Sequence, residues 1–263
     1  MRDFSAAIVV GAMVFLTCGL RPEESSPGNL GTPASLLPGI GAHDPRIRVD
    51  PDVVPWRAVG KLQAASMNFR ASCTATLVGP STVVTAAHCI FNHRVQRYLP
   101  PAALHFLIGY TGSRYAGHAI GTAMKISDGY DPDRPKETVG SDWALIFLDK
   151  NLGSEGRVLP ILNEPPENGA NVVLAGYQKD HSLVLMADTQ CHIVGRFVDA
   201  DGWLLLRHNC AATNGTSGAP LLIERGGRWQ VAAIEVLGEA GVAGGAAAVL
   251  DEAIKQLVSD LGR

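Results

Sequence analysis

The chain of 263 residues is 46% hydrophobic and 18% charged, enough apolar material for one or two packed units and too much for a disordered chain. Its formal net charge of −3, with no long run of either sign, gives no reason to expect a nucleic acid or an anionic membrane as partner.

The first segment, Met1 to Leu20, carries Arg2 and then an uninterrupted apolar stretch from Ala6 to Leu16, the proportions of a secretory leader. That stretch is short for a transmembrane span. Small residues around Thr17, Cys18 and Gly19 allow a cut after Gly19, and a secreted or periplasmic protein is expected. Residues 21–55 hold seven of the sixteen prolines, mixed with Ser, Gly and Asp, and read as a linker or pro-segment that buries little. The folded part is expected to start near Trp56.

Short, β-branched runs bounded by turn residues follow: AVGKLQAA, CTATLV, TVVTAA, LHFLIG and WALIFL, then NVVLAGY, LVLMA, CHIVGRF, GWLLLRH, PLLIE, WQVAAIEVL and GAAAVL. Such a series indicates antiparallel barrels or sandwiches. The runs divide around the proline-rich LPILNEPPENG and read as two β units of about six strands each, residues 56–158 and 159–249, with a cleft between them as the natural place for a site. Residues 250–263 differ, placing Leu250, Ile254, Leu257, Val258 and Leu261 at helical spacing, so the chain is expected to close with an amphipathic helix.

Of five cysteines, Cys18 falls in the leader. Cys73, Cys89, Cys191 and Cys210 remain, an even number in two sequence-local pairs, and the expected disulfides are Cys73 to Cys89 and Cys191 to Cys210. A Cys/His metal site lacks the usual short spacing, and no metal or cofactor is expected.

Three places carry chemistry in combination. STVVTAAHC puts His88 directly after a strand and beside a cysteine; GSDWALIFLD puts Asp142 at the mouth of an apolar strand; TNGTSGAP presents Ser217 in a glycine-rich bend. Each has a bland reading, as a structural histidine, a solvated acid and a turn serine. Together they supply a nucleophile, the imidazole that takes its proton and the carboxylate that fixes the imidazole. Gly215 has the backbone freedom to let its N–H and that of Ser217 point at one spot as an oxyanion hole.

TAAHC, DWALIFL and GTSGAP in that order, with PWRAVGKL ahead of them, resemble the chymotrypsin-like serine proteases, and the GTSG form is similar to bacterial glutamyl endopeptidase-type members. The resemblance implies an all-β fold of two six-stranded antiparallel barrels, with His88, Asp142 and Ser217 in the cleft between them. It implies a monomeric serine endopeptidase acting on proteins or peptides through an acyl-enzyme. It also places the floor of the specificity pocket at Ala211 and its wall at AAIEVLG, with Glu235 facing the pocket and Gly238 keeping it open. A glutamate there favours Lys or Arg in the substrate; the alternative has Glu235 at the surface or paired with a local arginine. Thr216 stands where digestive members carry the aspartate that pairs with a newly cut N-terminus, so activation by that ion pair is not expected. Asn214 to Thr216 is also a glycosylation sequon. Two rival functions stay open: a catalytically silent relative used for binding, and a metal-dependent hydrolase using His88 and His93.

Overall fold

The computed structural model describes residues 37–66, 69–154 and 156–261. The expected leader, Cys18 and the first part of the proline-rich segment lie outside the described residues. A short strand, β1 (Ile47–Arg48), comes first. The first barrel follows, from β2 (Val59–Ser66), β3 (Phe69–Gly79) and β4 (Thr82–Thr85). A small hairpin of β5 (Phe91–Asn92) and β6 (Arg97–Tyr98) intervenes before β7 (Leu104–Ile108), β8 (Gly117–Ile126) and β9 (Ala144–Leu148). Strands β2, β3, β4, β9, β8 and β7 close on one another in that order, every pairing antiparallel.

The second barrel is built from β10 (Asn171–Gly176), β11 (Met186–Val198), β12 (Leu204–His208), β13 (Pro220–Arg225), β14 (Arg228–Gly238) and β15 (Gly245–Ala248). The ring runs β11, β10, β13, β14, β15, β12 and closes through the pairing of β11 with β12, while β1 adds to the outer edge of β11. Two sets of six thus form two closed barrels, matching the twelve runs in total, although five of those runs precede the proline-rich break and seven follow it. The composition of the sets differs in detail: LVLMA and CHIVGRF largely fuse into the single long strand β11, and β8 falls on GHAIGTAMKI, where no run stands out. Only Ala119 and Gly121 of β8 are fully buried, which is why its apolar signal is weak.

Each barrel fills its interior with alternate apolar side chains, Leu62, Leu77, Phe106, Ile108 and Leu145 in the first and Leu174, Ile193, Leu206 and Leu221 in the second, all nearly inaccessible. Pro220 is tolerated because it opens its strand. Both expected disulfides are present, Cys73 to Cys89 and Cys191 to Cys210. The closing helix α1 (Glu252–Leu261) forms with Ile254 fully buried, and Asp251 Oδ1 accepts the N–H of Ile254 at its start.

The chain is already ordered well before Trp56. Ile40, Arg46 and Val49 are buried, and Arg46 bonds Asp44, Asp180 and Gln178. The low hydrophobicity of this stretch conceals that Ile40, Val49 and one arginine, Arg46, are drawn into the body.

Candidate active site

His88 lies in a single 3₁₀ turn, Ala87–Ile90, that leaves β4, and the bridge from Cys89 to Cys73 ties this turn back to β3. Asp142 follows another such turn, Val139–Ser141, directly ahead of β9. Because β4 and β9 are paired neighbours, the two residues are brought together at one end of the first barrel. Asp142 is 3% exposed, and its carboxylate grips His88 twice: Oδ1 accepts the backbone N–H at 2.9 Å and Oδ2 faces Nδ1 at 2.5 Å. Burial pulls the imidazole toward its neutral form, but the charge and hydrogen bond of Asp142 outweigh it and hold the His88 pKa above the usual histidine value.

Ser217 comes from the second barrel, in the turn between β12 and β13. Ser217 and His88 border one cavity of about 290 Å³, together with Thr213, Asn214, Glu235 and Gly238. Among the described residues none hydrogen-bonds the Ser217 hydroxyl, and none accepts the backbone N–H of Gly215 or of Ser217. Gly215 has φ +96°, and a Cβ there would stand 2.5 Å from the carbonyl of Tyr177, so glycine is required on both counts. Thr216 turns inward and donates its hydroxyl to Thr213 O at 2.5 Å, closing the bend where an acid would otherwise stand.

The turn is gripped by the first barrel through a residue that no motif marks. Thr74, fully buried on β3, donates its N–H to Ser217 O at 3.0 Å and its hydroxyl to Gly215 O at 3.0 Å. The same hydroxyl accepts the N–H of Tyr177, and Thr85 donates to the Thr74 carbonyl. Four hydrogen bonds on one threonine thus link the strand after which His88 is placed to the turn that carries Ser217.

The pocket wall departs from expectation in two respects. Ala211, expected as the floor, is fully buried and does not border the cavity; its N–H donates to Asp188 Oδ2 at 2.8 Å, and Ala212 borders the cavity instead. Glu235 does border the cavity, yet its partner is neither solvent nor an arginine. It is 3% exposed, with Oε2 at 2.6 Å from His208 Nε2. Cys210 N–H donates to the other ring nitrogen of His208, which puts the imidazole proton on Nε2, where it is donated to Glu235. Desolvation raises the Glu235 pKa, and the contact with His208 opposes it. Gly238 pairs with Gly245, and a Cβ on Gly245 would stand 2.5 Å from Glu235 Oε1, so Gly245 makes room beside the carboxylate. Pro38 also borders the cavity, and the next residue, Gly39, is tied to its wall, accepting from Ala212 N–H and donating to Glu239 O.

His93, the second ligand of the rival metal reading, packs edge-on against Phe91. The cluster of potential ligands around His88 consists of Cys73 and Cys89, whose sulfurs are consumed in a disulfide.

Comparison with known proteins gives a consistent result. Residues 48–250 match the family model described as Trypsin. A cercarial protease of Schistosoma mansoni is 32% identical over 124 residues, 42% of this chain and 45% of that protein. A glutamyl endopeptidase of Bacillus licheniformis is 25% identical over 210 residues, 79% of this chain and 61% of the relative. The matches thus span about half of the curated relatives' own length. A solved Glu endopeptidase in complex with MPD superposes with a TM-score of 0.68 at 18% identity, covering 85% of this chain and 99% of the other.

Proposed function

This chain belongs to the trypsin family, and from that premise we propose that it is an exported serine endopeptidase in which Ser217, His88 and Asp142 carry out acyl transfer. The observation that carries the reading is the double grip of Asp142 on His88, which fixes the ring with Nδ1 toward the carboxylate on the cavity that Ser217 shares. In the first step Ser217 Oγ forms a bond to the substrate carbonyl carbon while His88 Nε2 takes the hydroxyl proton. The carbonyl oxygen becomes an oxyanion, for which the free N–H groups of Gly215 and Ser217 are the available donors. Asp142 keeps the proton on Nδ1 and balances the imidazolium. On collapse the amine leaves with the proton from His88, and water then repeats the sequence on the acyl-enzyme. The two disulfides suit an oxidising compartment, which supports export.

Ser217→Ala is expected to lower kcat on a peptide amide by about 10⁶. Full activity in that variant, or loss of wild-type activity to a chelator, overturns the reading in favour of a metal hydrolase, and a wild type that cleaves no peptide overturns it in favour of a silent relative. For the acyl side of the substrate, the Glu235 carboxyl oxygens and the Thr213 hydroxyl, which has no partner among the described residues, offer acceptors to a cationic side chain in the pocket, an environment that favours Lys or Arg. The glutamyl preference in the Bacillus relative's name is therefore not carried over. Matched substrates ending in Arg, Glu, Ala and Phe decide this: Arg is cleaved fastest by wild type and loses its advantage in Glu235→Gln. An unchanged Arg preference in that variant removes Glu235 from the role.

A further inference from the structure

A second cavity, of about 340 Å³, adjoins the nucleophile turn; it is bordered by Lys61, Ser72, Tyr177, Lys179, Ser182 and Gly215. It meets the first cavity at Asn214, which borders both. Lys61 projects from β2, and although it is only 5% exposed, its ammonium has no carboxylate partner among the described residues. Its contacts are one hydrogen bond to the carbonyl of Ser182 at 2.7 Å and the face of the Tyr110 ring at 4.8 Å. An ammonium has three N–H donors, so two are left without an acceptor at the edge of a cavity. A buried cation held by a carbonyl and a ring face is costly to leave without a counter-charge. Desolvation draws the Lys61 pKa below that of a free lysine. Lys179 adds a second positive charge on the exposed rim, and no Asp or Glu borders the cavity.

The position of this cavity assigns its ligand. In acyl transfer at Ser217 the substrate carbonyl sits against the N–H groups of Gly215 and Ser217. The acyl half then occupies the cavity with Glu235, and the amine half passes over Gly215 toward Lys61. Building on the endopeptidase reading, we propose that the Lys61 cavity is a subsite for an acidic side chain, Asp or Glu, on the leaving side of the cleaved bond, with Lys61 as its specificity-determining residue. With Glu235 bordering one cavity and Lys61 the other, the preferred substrate is a peptide with a basic residue before the bond and an acidic one shortly after it.

Binding separates this proposal from the chemistry. With the uncleaving Ser217→Ala protein, peptides that differ only as Glu or Gln at the first three positions after the bond are titrated by fluorescence anisotropy. The Glu peptide is expected to bind about tenfold tighter at one of those positions. The preference disappears when Lys61→Met is added and returns with Lys61→Arg, while Glu placed before the bond gives no gain. Equal affinity for Glu and Gln peptides at all three positions, or a Glu preference that persists in Lys61→Met, overturns it. The first comparison needs no change at Lys61, so a misfolded variant does not rescue the idea. Failure of the endopeptidase reading itself shows instead as wild-type protein that cleaves neither peptide.

Discussion

His88 is subject to opposed influences, burial that favours the neutral ring and Asp142 that favours the charged one, and Asp142 prevails. A charged imidazole cannot accept the Ser217 proton, so activity is lost as pH falls through this raised pKa. The acid limb of kcat/KM is expected to lie above the usual histidine value of about 6.5. In Asp142→Asn the limb moves to lower pH and kcat falls by about 10⁴. A limb that does not move when Asp142 loses its charge contradicts the assignment. Stability runs the other way, because the His88–Asp142 pair contributes fully below the unfolded histidine pKa and fades as pH rises through the raised folded value. Gly218 is the other exacting residue: it has φ +78°, and a Cβ would stand 2.2 Å from Thr85 Oγ1 and 2.5 Å from Thr74 O. Gly218→Ala is expected to cost on the order of 3 kcal/mol in a urea melt and to abolish turnover by pushing the turn off β3; a variant of wild-type stability contradicts the close approach.

The nucleophile turn is an element held from three directions. Thr74 holds it from β3, the backbone of Glu235 on β14 bonds Gly218 and Ala219, and Arg46 reaches it through Gln178, whose Oε1 also accepts the N–H of Thr213. Thr74→Val keeps the shape and removes the hydroxyl, leaving Tyr177 N–H and Gly215 O unpaired, and is expected to cost about 2–4 kcal/mol. If catalysis needs the turn held there, kcat falls in the same variant while KM changes little. The Arg46 cluster adds an acid dependence. Its hydrogen bond to Arg46 lowers the pKa of Asp44, and at Asp180 the bond to Arg46 overcomes a desolvation that acts in the opposite sense. The cluster's stabilisation is therefore present above the ordinary carboxylate pKa and lost as pH falls through the lowered values. Arg46→Met is expected to unfold at a nearly constant urea midpoint between pH 5 and pH 3, where wild type declines; parallel declines would remove the cluster from the account. The composition of TNGTSGAP makes the turn legible in sequence, but none of its three anchors is. Thr74 and Gly215 are 141 residues apart, and nothing local to Thr74 distinguishes it from any other strand threonine.

At the level of the molecule, the fold is readable because the barrel strands other than β8 carry their own burial signal and the disulfides link near neighbours in sequence. The motif residues were readable because the bends that carry them need particular residue types. The specificity side of the cleft was read only in part. The family resemblance points to Glu235, whereas His208, Lys61 and the contact of Gly39 with Ala212 depend on how separate strands and the upstream segment meet. The same limit applies to Ala211, expected at the floor, whose N–H is held by Asp188 from another strand. What unites these parts is the claim that two barrels bring one histidine and one serine to a common cavity as a working pair. Its most direct test is labelling of the whole protein with a fluorophosphonate at pH 8 and mapping of the adduct by peptide mass spectrometry. The account predicts a single adduct on Ser217, strongly slowed in His88→Ala and absent in Ser217→Ala; no adduct in the wild type, or an adduct on another residue that survives Ser217→Ala, would contradict it.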